Sequence, residues 1–436
     1  DAIAAGAKAV IVEEGCDLKS IKLPEDVTLI MAKDTRIALA KCSCNFYENP
    51  SKKFKLIGVT GTKGKTTTTF MIKEILEKAG KKVGLIGTIA TYINGKMVSE
   101  SSRTTPESIE LQRTFAEMVK QGTEYVVMEV SSQSLKLHRV DGCHFDYVAF
   151  TNFSEDHISE KEHPNMEDYL QSKLKLFKMC KTGFVNIDDL QGNKIPAMFP
   201  DSDITGYGID NFGNFLAKDI TITNSYVDFK AKIADRNERV KVDIPGRFTV
   251  YNALCAICVC RKIGIESSVM KEALEKIKVP GRSEMVENKL EIPIMIDYAH
   301  SPESLQNILQ AVKSYTRGRV ISVFGCGGDR DTRKRPIMGE ISGKIADFTI
   351  ITSDNPRTED PQTIVDEIET GIKKTKGKYV CIVDRIEAIK YAINMASKKD
   401  IIVLAGKGHE PYQEINGVKH PFDERIIVNQ IIKGEI

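Results

Sequence analysis

The sequence has no apolar run reaching the roughly 18 residues that a membrane-crossing helix requires, which excludes a chain threaded through a bilayer as helices. It has almost no charge imbalance: 62 Lys and Arg against 60 Asp and Glu leave a formal +2. That balance gives no sign of a nucleic-acid footprint or a membrane-surface patch. It has no cysteine framework, because its ten cysteines follow no pairing pattern. Cys255, Cys258 and Cys260 lie in an apolar, helix-like segment, ALCAICVCRKIGI (253–265), with no His and no second CxxC beside them. Core packing is expected of them rather than zinc. Free thiols point to a reducing, cytoplasmic compartment. An initiating Met is also missing. The opening residues read as the tail of a helix followed by a strand at 8–12, so further chain is expected to precede Asp1, and no targeting segment can be judged.

What is present is an ordinary globular composition, 41% hydrophobic and 28% charged over 436 residues, enough for about three domains. The chain is organised around residues 54–69, FKLIGVTGTKGKTTTT. Phe54, Leu56, Ile57 and Val59 read as a buried strand. A glycine-rich loop follows, and Met71, Ile72, Ile75, Leu76 and Ala79 then fall on one helical face, with Gly80 suited to end the helix. Strand, glycine loop, Gly64-Lys65-Thr66 and helix make a phosphate cradle. Glycines let the backbone approach an anion, helix N–H groups point at it, Lys65 adds positive charge, and Thr66 offers an oxygen to Mg2+. Gly58 and Gly64 enclose five residues where the strict P-loop has four, so this is a P-loop relative.

A break at Asn49-Pro50-Ser51 predicts one boundary and Pro280-Gly281-Arg282 another. The expected domains are 1–48, 49–280 and 281–436. In the second, the strand at 125–130 delivers Glu129 at its carboxyl end, where a P-loop fold places a metal-linked acid. The strand at 147–150 runs into a loop holding His157. Lys173, taken plainly, is an exposed lysine on a helix at 166–176. Alternation at 226–233 and 240–244 predicts an antiparallel hairpin. In the third, strands at 292–296, 320–324, 348–352 and 401–404 each run into a polar loop, the pattern of an open α/β sheet with ligands at the strands' carboxyl ends. Gly325-x-Gly327-Gly328 is not a dinucleotide fingerprint: Arg330 takes the third glycine's place, and Asp347 precedes the next strand instead of ending it.

Six motifs, in this order, resemble the Mur ligases of peptidoglycan synthesis, and among them the members that add the third peptide residue. They are TGTKGKTT (60–67), MEVSS (128–132), DYAHSP (297–302), FGCGGDRD (324–331), SDNPRTEDP (353–361) and AGKGHE (405–410). The resemblance spans essentially the whole chain. It implies an α/β, three-domain architecture: a truncated N-terminal uridine-nucleotide domain, a central P-loop ATPase domain with a mainly parallel sheet, and a C-terminal Rossmann-like domain. It implies ATP-dependent ligation of meso-diaminopimelate to UDP-N-acetylmuramoyl-L-alanyl-D-glutamate through an acyl phosphate.

Residue by residue, the resemblance implies ATP contacts from Gly61, Thr62, Lys63, Gly64, Lys65, Thr66, Thr67, Asn252, Arg282 and Asp297. Lys63 stands where the family often has Asn. Mg2+ would be held by Thr66, Glu129, His157 and Lys173, the lysine carboxylated so that it binds the cation rather than repelling it. Lys65, Glu129, His157, Lys173 and Arg282 would be the catalytic set. Thr104, Thr105, Ser131 and Arg139 would hold the muramoyl dipeptide. Arg330, Asp354, Asn355, Arg357, Gly406 and Glu410 would hold diaminopimelate, with Arg357 reading the distal carboxylate that lysine lacks. A lysine substrate would then leave Arg357 without an anion. Leu137 replaces a residue that contacts substrate in some members, and the loop 158–163 has a longer form shared with some lysine-adding members. A monomer acting on small molecules is expected. The alternatives are the same ligation with L-lysine or meso-lanthionine, folylpolyglutamate synthesis, and a nucleotide-binding switch without chemistry.

Overall fold

A computed structural model of the chain describes residues 2–17, 24–155, 158–159, 162–211, 213–233 and 236–436. Two compact units emerge: Asp1–Phe215 with Cys255–Glu266, and Leu216–Leu254 with Ser267–Ile436.

In the first unit, the strand Lys55–Thr60 is the pivot. Tyr125–Glu129 and Tyr147–Phe150 flank it, both parallel. Its residues from Leu56 to Thr60 are all buried, as a strand covered on both faces must be. Val83–Ile86 lies beyond Tyr125–Glu129, and Thr182–Asn186 then Asp203–Gly208 beyond Tyr147–Phe150, all parallel to their neighbours. The helix Lys65–Lys78 buries Met71, Ile72, Ile75 and Leu76, and Gly80 follows its end at φ 77°. One sheet edge carries antiparallel strands, Ala90–Ile93 and Lys96–Glu100. From the sequence analysis no hairpin is expected here. Its signal was Asn94-Gly95, a pair whose φ values of 49° and 82° make the turn.

Ahead of this sheet, Ala9–Glu13 pairs with Thr28–Ala32. Asp34 caps the helix Thr35–Phe46 by accepting from the N–H groups of Arg36 and Ile37. The residues before Ala9 form turns rather than the tail of a helix. Cys255, Cys258 and Cys260 sit on the helix Arg247–Ile263 and are buried, and burial pushes the Cys255 thiol up to about 12. They pack as core residues.

In the second unit, Val227–Ile233 and Arg236–Val242 form the predicted antiparallel hairpin. A six-stranded sheet runs in the order Glu284–Met285, Ile294–Asp297, Ile401–Ala405, Val320–Phe324, Phe348–Ile351, Tyr379–Cys381. All its pairings are parallel except the first. Asp297 pairs with Ala405, Ala405 with Phe324, and Phe324 with Ile351. That register brings the loops following all four strands to one end of the sheet, outside the strands' carboxyl ends, where ligands bind in such sheets. A second unforeseen hairpin, Tyr412–Ile415 with Val418–Pro421, turns at Asn416-Gly417. Among the described residues no helix is long and apolar enough to cross a membrane.

Candidate active site

The phosphate cradle lies in the first unit. Gly61 has φ 144°, and a Cβ there would fall 2.0 Å from Thr151 Oγ1, so only glycine fits. Gly64, at φ 82°, opens the helix. The loop is fastened from the next strand end. Asn152 Oδ1 accepts from Lys63 N at 2.9 Å, while Asn152 Nδ2 and Thr151 Oγ1 both donate to Lys63 O. Tyr169 Oη donates to Thr62 Oγ1 at 3.2 Å. Lys65 Nζ donates to the carbonyls of Gly61 and Thr62, each at 2.9 Å.

Glu129 is buried at the end of its strand, directly beneath the helix start. Its carboxylate accepts from Thr66 Oγ1 at 3.0 Å, from Thr88 N at 2.8 Å and from Thr88 Oγ1 at 3.1 Å. A Cβ on Gly87 would lie 2.4 Å from Glu129 Oε1, so Gly87 admits the carboxylate. The expected dipeptide contacts, drawn from three separate segments, meet around it. Thr104 Oγ1 bonds Thr88 Oγ1, Thr105 Oγ1 donates to Glu129 O, and Ser131 N donates to Thr105 Oγ1. Buried Arg139 donates to Thr105 O and pairs with Glu107.

Lys173 is not an exposed helix lysine. It is 1% exposed on the helix Met166–Lys178, with Nζ donating to Gly61 O at 2.8 Å and lying 4.3 Å from the Tyr169 ring centre. Tyr169, Leu170, Ser172, Leu174, Leu176 and Phe177 are buried with it. The broad buried face of this helix carries the amine inward, and the i, i+4 spacing sets the ring against it. His157 lies outside the described residues. Thr66 and Glu129 supply an oxygen donor pair suited to Mg2+. Among the described residues no three His, Cys, Asp or Glu side chains are grouped so that they could hold a metal ion, and a carbamate on Lys173 would add a second anionic oxygen donor. The residues present fit the ion on that condition.

Sequence reasoning missed Thr88 and the buried His163. His163 Nδ1 bonds Asp168 Oδ2 at 2.6 Å, its Nε2 bonds Ser132 Oγ at 2.9 Å, and burial holds its pKa below the ordinary value despite Asp168. It ties the helix Ser132–Lys136 to the helix bearing Lys173.

The second unit carries the other residues. Asn252 is buried on Arg247–Ile263. The Arg282 guanidinium lies 5.1 Å from the Tyr298 ring centre. Asp297 Oδ2 accepts from Ser283 N at 2.8 Å, and desolvation pushes the Asp297 pKa up. His409, 5.0 Å from Tyr298 ring to ring, is held near 4 by burial and by the Arg282 charge.

At the neighbouring strand ends, Asn355 is fixed on every side. Its Oδ1 accepts from Lys407 Nζ and Glu414 N, and its Nδ2 donates to Glu410 Oε2 at 2.8 Å. Burial first, then the Asp354 charge, raises the Glu410 pKa; burial lowers that of Lys407. Asp354 Oδ1 accepts from Asn355 N, whereas its Oδ2 is buried without a hydrogen-bond partner among the described residues. A Cβ on Gly406, at φ 117°, would lie 2.5 Å from that oxygen. The glycines of 325–328 serve close approach: a Cβ on Gly328 would fall 1.9 Å from Pro356 O. Buried Arg385 binds the carbonyls of Ser353 and Ala405 together, a support that the sequence did not reveal. Arg330 is exposed on the rim. Arg357 does not depend on a substrate for an anion, contrary to expectation: its Nε donates to Glu414 Oε2 at 3.2 Å.

The Mur ligase middle domain matches residues 59–260, and the Mur ligase glutamate ligase domain matches residues 281–408. The chain belongs to the Mur ligase family. It is an α/β enzyme of that family of ATP-dependent ligases, with a mainly parallel central sheet. It is 50% identical over 436 residues to the UDP-N-acetylmuramoyl-L-alanyl-D-glutamate–2,6-diaminopimelate ligase of Caldanaerobacter subterraneus subsp. tengcongensis, covering 99% of this chain and 88% of that one. The enzyme of the same name from Clostridium botulinum is 46% identical, covering 98% and 88%. A solved structure of a protein of that name superposes with a TM-score of 0.71 at 30% identity, covering all of this chain and 88% of the other. A folylpolyglutamate synthase of Mycobacterium tuberculosis, at 14% identity and a TM-score of 0.67, shares the fold.

Proposed function

We propose that this Mur ligase joins meso-diaminopimelate to UDP-N-acetylmuramoyl-L-alanyl-D-glutamate at the expense of ATP. The observation that carries the choice of amino acid is the buried Asp354 Oδ2 lacking a partner, on the same loop as the Arg357 guanidinium. A buried carboxylate oxygen is costly unless a donor reaches it. An ammonium at the far end of a substrate would satisfy that oxygen, and a carboxylate beside it would take the Arg357 donors that Glu414 and Gly328 leave open. The names of the relatives at 44–50% identity agree.

In the reaction, the γ-carboxylate of D-glutamate forms a bond to the γ-phosphorus of ATP, and the bond to ADP breaks. The amine then attacks the acyl carbon, phosphate leaves, and a proton is lost. Such transfers need charge neutralisation and alignment rather than a protein nucleophile. Gly61, Thr62, Lys63, Gly64, Lys65, Thr66 and Thr67 cradle the phosphates, Arg282 adds charge, and Asn252 and Asp297 hold the nucleoside. Thr104, Thr105, Ser131 and Arg139 hold the dipeptide. Arg330, Asp354, Asn355, Arg357, Gly406 and Glu410 hold the amino acid. Mg2+, on Thr66, Glu129, His157 and carboxylated Lys173, would neutralise phosphate charge. Domains at 1–48, 49–280 and 281–436, a monomer, and a cytoplasmic location belong to the same proposal.

Release of phosphate from ATP tests it. It should require both the UDP-muramoyl dipeptide and the amino acid. Release that ignores either one would favour a nucleotide switch and contradict the proposal.

A further inference from the structure

Arg357 is held by more than its own loop. Its backbone is left-handed, φ 54°, and is clamped from both sides by the Tyr412–Ile415 hairpin strand and its turn. Arg357 N donates to Glu414 O at 3.0 Å, and Asn416 N donates to Arg357 O at 2.7 Å. Gln413 Nε2 donates to Asp354 O at 2.7 Å, and Glu414 N to Asn355 Oδ1 at 2.9 Å. The hairpin therefore supports the whole 354–357 loop.

The guanidinium is fastened at two of its five N–H groups. Nε donates to Glu414 Oε2 at 3.2 Å and Nη1 to Gly328 O at 2.7 Å. Nη2 has no hydrogen-bond partner among the described residues, so its donors remain for a substrate carboxylate. Side-chain exposures of 21% and 26% leave the Arg357–Glu414 pair partly screened.

We infer that Glu414 is a specificity-determining positioning residue, an internal counter-ion that limits how strongly Arg357 favours a dicarboxylic amino acid over lysine. The inference rests on the proposed reading of Arg357. With Glu414 in place, a substrate lacking the distal carboxylate forfeits a hydrogen-bonded contact but does not strand a cation. Glu414→Gln keeps an acceptor for Nε and removes the negative charge. The substrate carboxylate then becomes the one anion hydrogen-bonded to Arg357, with Asp329 and Glu410 acting on it only through their charge. Glu414→Ala removes both the hold and the charge.

The test is the ratio of kcat/KM for meso-diaminopimelate to that for L-lysine in the full chain, with KM for ATP and thermal unfolding as checks on folding. Glu414→Gln should raise the ratio about fivefold, as expected for a partly screened pair, mainly through KM. Glu414→Ala should lower it, because Arg357 loses its alignment. A ratio unchanged or lowered in Glu414→Gln overturns the inference. Arg357→Ala separates the two levels. If it abolishes the preference while Glu414→Gln leaves the ratio alone, only the role of Glu414 fails. If Arg357→Ala keeps the parent preference, the reading of Arg357 fails with it.

Discussion

The proposed phosphate cradle, in the first unit, and the proposed amino-acid loops, in the second, are held in different ways. The first is one contiguous stretch, residues 60–67, a backbone loop whose shape is set by Gly61 and Gly64. A neighbouring strand end, through Asn152 and Thr151, and the helix Met166–Lys178, through Tyr169 and Lys173, only fasten it. The second is assembled from strand ends far apart in sequence, and its shape is set by side chains: Lys407 and Glu410 on Asn355, Glu414 on Arg357, Arg385 beneath two loops. A backbone site tolerates changes around it but not within it. A side-chain site can be retuned one contact at a time.

The largest expected effect is on the first half. Lys65→Ala should lower turnover about a thousandfold, as the loss of a charge aimed at the transferred group does, without changing the affinity for the amino acid. Equal losses in both would break the division. Lys173→Ala should cost about a hundredfold, and part of the activity should return with an added short carboxylate. Full activity in that variant would remove Lys173 from the metal site. In the second half, Asp354→Asn should raise KM for meso-diaminopimelate about tenfold, the worth of one hydrogen bond to a charged group, with KM for ATP unchanged.

The smallest effect concerns the frame of the second half. Burial opposes the ionised form of Asp400, but its hydrogen bonds from Arg319 and Ser397 outweigh this and hold its pKa near 2, below the ordinary 3.8. A carboxyl depressed on folding stabilises fully above its unfolded value and loses that contribution as pH falls through the folded one. Asp400→Asn should therefore cost about 1–2 kcal/mol near neutral pH. The difference from the parent should shrink as pH drops from about 4 to about 2 in thermal unfolding.

The contrast between the halves also explains what could be read from the sequence. The cradle was legible because local sequence and function coincide there: each glycine sits where the backbone needs it. The parallel strands were legible as continuous apolar runs, and Glu129 because it ends one of them. The burial of Lys173 was not, since a lysine in QSKLKLF looks solvated until Tyr169 and the 61 carbonyl are placed against it. Both missed hairpins had an Asn-Gly turn in plain view, at 94–95 and 416–417. The roles of Thr88, His163, Lys407 and Glu414 depend on contacts across long separations, which no local pattern encodes.

Selection of the amino acid by its far-end carboxylate is what the proposal for the second unit turns on. Initial rates of ATP-dependent ligation with meso-diaminopimelate, meso-lanthionine and L-lysine, side by side at equal concentration, test it most directly. The two dicarboxylic amino acids should be ligated and lysine should lag well behind. Equal rates with lysine would contradict the account.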